Sequence, residues 1–113
     1  GLGDVYKRQG KKIDDEKILK LKKFSNHIVS LSMTNCKLTN DNLQKISDLY
    51  NLVNLDINNN NNISDDGIKF LKNLENLEKI NLYGTNVSNL IFEISFYGPI
   101  HLDPLDTCLL SNT

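Results

Sequence analysis

Apolar and small residues recur along the chain at one spacing. Ile28, Leu31, Met33, Cys36 and Leu38 follow the pattern L-x-x-L-x-L-x-x-N/C-x-L, and Leu77, Ile80, Leu82, Thr85 and Val87 repeat it. Between them lie Leu52, Leu55, Ile57 and Asn60, with Ile63 one place late, so the Asn58 to Asn62 run carries one inserted residue. Alternation around Leu31 and Met33, Leu55 and Ile57, and Ile80 and Leu82 predicts three short strands, each turning those pairs inward.

A second stripe follows each strand. Leu43, Ile46 and Leu49 follow Leu38, and Ile68, Leu71 and Leu74 follow Ile63, at steps that line one side of a short helix. Thr39, Asn40 and Asp41 stand before the first stripe, and Ser64, Asp65 and Asp66 before the second, where helix-capping residues belong. The same template read backwards gives Ile13, the caps Asp14 and Asp15, and a stripe of Ile18, Leu21 and Phe24, which is half a repeat entered at its turn. Forwards from Val87, Ser88, Asn89 and Phe92 fit, but Ser95 and Gly98 break the register.

Repeat starts at Ile28, Leu52 and Leu77 lie 24 and 25 residues apart. With Ile63-Ser64-Asp65-Asp66-Gly67-Ile68 and Leu38-Thr39-Asn40-Asp41-Asn42-Leu43, the chain resembles leucine-rich repeats of the L-T-D-x-G-L type over about residues 13 to 90. The resemblance implies an α/β solenoid with short parallel strands on a concave face and short helices on a convex one. It also implies a non-catalytic module, part of a larger protein, that binds a protein or peptide through the strand face.

The outward strand positions form three columns: Ser30, Asn54 and Lys79; Ser32, Asp56 and Asn81; Thr34, Asn58 and Tyr83, bordered by Asn35, Asn59 and Gly84. This face is polar, nearly neutral and rich in amides, which suits hydrogen bonding to a peptide or protein. Tyr83 is its one aromatic and its candidate hot spot. Inside the turn, Cys36, Asn60 and Thr85 share a column where a small polar side chain must satisfy backbone groups.

Composition narrows the remaining options. The chain has 113 residues, 24% of them charged, and a formal net charge of -1, so no strong field points to nucleic acid or an anionic membrane. The early cluster of Lys7, Arg8, Lys11, Lys12, Lys17, Lys20, Lys22 and Lys23 is interrupted by Asp4, Asp14, Asp15 and Glu16 and reads as a solvated face. Cys36 and Cys108 are too few and too far apart for a disulfide framework or a metal site.

No catalytic constellation surrounds His27 or His101. Asp65, Asp66 and Gly67 lack the alternating ligands of a calcium loop, and Gly10-Lys11-Lys12 lacks the first glycine and the hydroxyl residue of a phosphate-binding loop. Neither metal, cofactor nor enzymatic activity is expected. Asn62-Ile63-Ser64 and Asn86-Val87-Ser88 match the glycosylation pattern, at a frequency that chance supplies in so Asn- and Ser-rich a chain.

Three segments follow. Residues 1–12 form a non-repeat leader whose Leu2 to Gln9 resemble translated sequencing-adapter sequence and are read as artefactual. Residues 13–89 hold the half repeat and three strand units, and residues 90–113 are a degenerate terminal repeat, a cap or an out-of-frame tail. The chain starts without Met and is read as a fragment. Two other settings stay open: the substrate-recognition part of a ubiquitin-ligase adaptor, and a secreted or cell-surface recognition protein. Without a membrane-length apolar run or a signal-peptide layout, the compartment is undetermined, with a lean to the cytosol.

Overall fold

Strand and helix alternate along the computed structural model, which describes residues 4–88 and the backbone of residues 101 and 102. The order is β1 (Asp4–Gln9), α1 (Asp15–Lys22), β2 (Ile28–Thr34), α2 (Asn40–Ile46), β3 (Asn54–Asp56), α3 (Asp65–Ile68) continued by a 3₁₀ turn (Lys69–Asn73), β4 (Lys79–Asn81) and β5 (His101–Leu102). All strands run parallel in one sheet, in sequence order β1-β2-β3-β4-β5. The fold class is therefore α/β, with each new strand added on the same side and, from β1 to β4, a helix carrying the chain back.

The core is the set of repeat positions. Leu31, Leu55 and Ile80 pair across neighbouring strands, and all three side chains are buried. Ile28, Met33, Leu38, Leu52, Ile57, Ile63, Leu77, Leu82 and Val87 join them, as do Ile18, Leu21, Leu43, Ile46, Leu49, Ile68, Leu71 and Leu74 from the helical layer. Fully burying one such side chain contributes roughly 1.5–3 kcal/mol. One stripe residue departs from expectation: Phe24 is 56% exposed, whereas its counterparts Leu49 and Leu74 are 0% and 2% exposed. Phe24 lies in the turn after α1, and among the described residues no helix precedes α1.

The apolar spacing places no repeat residue in 1–10, yet β1 pairs with β2 in register, Tyr6 against Leu31 and Arg8 against Met33. Its inward positions hold an aromatic and a cation instead of aliphatic residues, which is why the pattern is silent there. Tyr6 packs on the core, and the Arg8 guanidinium donates to the carbonyls of Lys11 and Lys12 at 3.3 and 3.0 Å. The expectations for residues 90–113 lie outside the described residues, apart from the backbone pairing of His101 and Leu102 with Lys79 and Ile80.

Every unit turns at the same point. Gly10, Asn35, Asn59 and Gly84 all have φ between 52° and 76°, the left-handed region that glycine and asparagine tolerate. Gly84 is also sterically required, since a Cβ there would lie 2.4 Å from Asn59 Oδ1 and 2.9 Å from Asn59 Cα. Behind this turn, the buried Asn60 amide serves five backbone groups. Its Oδ1 accepts from the N–H groups of Cys36 and Leu38 at 2.9 and 3.1 Å. Its Nδ2 donates to the carbonyls of Met33, Ile57 and Asn58 at 2.8, 2.9 and 3.0 Å.

The helical layer is tied by a second ladder. Asp14 caps α1, and Thr39 caps α2 in a reciprocal box with Asn42. Residues one place further on reach to the next unit: Asp15 accepts from Asn42 Nδ2, Asn40 accepts from the Ser64 N–H, and Asp65 accepts from both the N–H and the hydroxyl of Ser88. Asn40 and Asp65, expected as caps of their own helices, act between units instead. Asn40 also explains the glycine of the L-T-D-x-G-L match, because a Cβ on Gly67 would fall 2.2 Å from Asn40 Oδ1 and 3.0 Å from Leu43 Cδ1.

Two stability measurements check these ties by chemical denaturation. Asn60→Ala is expected to cost about 3 kcal/mol or more, since several buried backbone groups lose their partners. Asn60→Asp should be no better at pH 7, because a carboxylate cannot donate to the three carbonyls. Gly67→Ala is expected to cost about 1–3 kcal/mol through overpacking. Combined with Asn40→Ser, its cost should be less than the sum of the two single effects, as the side chain it collides with is shortened.

Candidate functional site

Strand pleating sends alternate side chains outward, and the parallel register then stacks them into columns. Ser30 pairs with Asn54 and Asn54 with Lys79, while Ser32 pairs with Asp56 and Asp56 with Asn81. These six residues, with Lys7 from β1, line an open groove of about 340 Å³ whose floor includes Leu31 and Leu55. The serines on β2 are the smallest side chains in the two columns.

The third expected column stands beyond the groove's lining. Thr34 and Asn58 are half-buried, and Tyr83 is 42% exposed at the turn after β4. Two outward side chains fold back on their own turns: Asp56 Oδ1 accepts from the Asn58 N–H at 3.1 Å, and Asn81 Oδ1 accepts from the Tyr83 N–H at 3.0 Å. Each therefore fixes the backbone that presents the next column, at the expense of one acceptor lone pair.

Lys7 is the lining residue that the apolar spacing does not find. It lies 25 residues before Ser32, and Gly10 lies 25 before Asn35, so a register search on turn residues would reach it where one on apolar residues does not. A further column of asparagines is also missed, at Asn26, Asn51 and Asn76. Asn51 Nδ2 donates to the Asn26 carbonyl at 3.1 Å, Asn76 Nδ2 donates to the Tyr50 carbonyl at 3.2 Å, and the Tyr50 hydroxyl donates to Asn26. These amides join units at the turn entering each strand, where they hold the sheet rather than line the groove.

A scan against protein-family models finds none that matches this chain, and a search of the curated proteins finds no match. Its chemistry has to be read from its own geometry.

The inner turn column carries no reactive group. Cys36 is fully buried, with its thiol 3.4 Å from the carbonyls of Arg8 and Thr34, and Thr85 Oγ1 donates to the Leu82 carbonyl at 2.6 Å. Burial pushes the Cys36 thiol above its ordinary value, outweighing the backbone hydrogen bond from Lys11 and the charge of Arg8. Among the described residues, no group of three or more His, Cys, Asp or Glu is placed to hold a metal ion. No helix among them is long and apolar enough to cross a membrane.

A buried thiol with a raised pKa presents little thiolate and no access for an electrophile. Cys36 in the folded chain at pH 8 is therefore expected to resist alkylation by iodoacetamide and to label fully in denaturant. Peptide mapping separates its adduct from that of Cys108.

Proposed function

We propose that this segment belongs to a leucine-rich-repeat solenoid and binds a protein or peptide through its outward strand face, without catalysis. The observation that carries the reading is the matched register of the polar columns. Ser30, Asn54 and Lys79, and Ser32, Asp56 and Asn81, meet across three parallel strands around one open groove. The inter-unit asparagine at Asn60 and the glycine at Gly67 support the repeat reading, because each couples one unit to its neighbour.

Such a face suits an extended or loop-shaped partner. It offers hydroxyls and amides at the regular strand spacing of about 4.8 Å, with a cation and an anion among them and a tyrosine at its end. Rim contacts of this kind contribute complementarity, while an aromatic anchor carries a larger share of the affinity.

The test uses the full chain as bait and measures the affinity of the partner it captures. Tyr83→Ala is expected to weaken binding about tenfold, and Asn54→Ala with Asp56→Ala to weaken it further. Glu75→Ala and Lys72→Ala, on the opposite layer, should leave it unchanged. Affinity that survives the strand-face substitutions would sink the proposal.

A further inference from the structure

We propose that the groove of the strand face seats an arginine side chain of the partner against Asp56, an inference that rests on the strand-face reading and narrows it. Asp56 and Asn81 are neighbours across β3 and β4 and do the same local work. Asp56 Oδ1 accepts from the Asn58 N–H at 3.1 Å, and Asn81 Oδ1 accepts from the Tyr83 N–H at 3.0 Å. The turn therefore needs an acceptor that an amide supplies, and the negative charge of Asp56 is surplus to it.

That charge stands inside the groove. Ser32 and Asn81 flank Asp56 in register, Ser30 and Asn54 line the same space, and Asp56 is the one carboxylate among the lining residues. It is half-buried, and among the described residues no cation pairs with it, whereas Asp15, Asp48 and Asp66 each hold a lysine. Flanking units leave this face accessible. β1 and β5 join the sheet beside β2 and β4, and a strand added in that way extends the face instead of lying over it.

Chemistry selects the occupant. Oδ1 serves the turn, so Oδ2 is the oxygen left to a partner, with the Ser32 hydroxyl and the Asn54 amide on the same face. A guanidinium presents a planar fork of N–H donors that reaches a carboxylate oxygen and neighbouring side-chain oxygens together, where an ammonium acts as a point charge. An acidic peptide or a nucleic acid would set its own negative groups against Asp56. Lys79 lines the groove on β4, one strand over and two residues back, about 8 Å away by strand dimensions, and so turns an incoming cation toward the serines of β2.

The experiment titrates short serine and glycine peptides, with arginine, citrulline or glutamate at the centre, into the isotope-labelled full chain. The arginine peptide is expected to shift the amides of Ser32, Asp56 and Asn81 and to bind more tightly than the citrulline peptide, which has the same shape without the charge. The glutamate peptide should leave them unmoved. Asp56→Asn keeps the turn acceptor, as Asn81 does, and should weaken the arginine peptide about threefold to tenfold, to the level of the citrulline peptide. Asp41→Asn makes the same charge change on an exposed position of α2, and Lys7→Met removes a cation from the segment that resembles adapter sequence; both should leave the preference for arginine in place. Equal response to all the peptides, no response to any, or a preference that survives Asp56→Asn would overturn the proposal. A captured partner whose affinity falls with Tyr83→Ala but ignores Asp56→Asn would overturn the arginine seat alone and leave the strand face as the binding surface.

Discussion

A parallel stack of short strands and turns buries backbone groups that no strand ladder reaches, and the Asn60 amide resolves that constraint at the centre of this chain. One side chain supplies an acceptor to two N–H groups of the preceding unit and donates to three carbonyls. Unsatisfied, those groups would destabilise the stack, because burial without a partner is penalised at each polar atom. Cys36 and Thr85 occupy the same column with smaller reach, each serving carbonyls close to it.

From that point the structure is a chain of neighbour contacts. Left-handed turns at Gly10, Asn35, Asn59 and Gly84 direct each strand's exit, and Gly84 presses on Asn59 so closely that a side chain is excluded. Asp15, Asn40 and Asp65 link each helix start to the following unit, and Asn51 and Asn76 do so at the strand entrances. The ion pairs Lys22–Asp48 and Lys45–Asp15 lie on the exposed layer, where screening leaves them a small share of stability. Hydrogen bonds from side chains of one unit to groups of the next, rather than the exposed ion pairs, hold the units in order.

The same geometry sets what the surface can do. The register brings Lys7, Asp56 and Lys79 to one open groove with the serines of β2. The inner turn column is occupied with structural hydrogen bonds, and its thiol is inaccessible.

By itself the sequence determined the α/β alternation, the buried strand and helix stripes from Ile28 to Val87, the Cys36, Asn60 and Thr85 column, and two of the polar columns. All follow from periodicity, which records burial on one side of an element. Tertiary structure decided what periodicity does not record. The pairing of β1 with β2 rests on backbone bonds that accept Tyr6 and Arg8 at inward positions. The role of Asn40 between units depends on where the next unit sits, since the same residue type could equally cap its own helix. Phe24 shares the stripe of Leu49 and Leu74 in sequence, yet it is 56% exposed where they are 0% and 2% exposed, because spacing records the stripe while packing decides which of its members are covered.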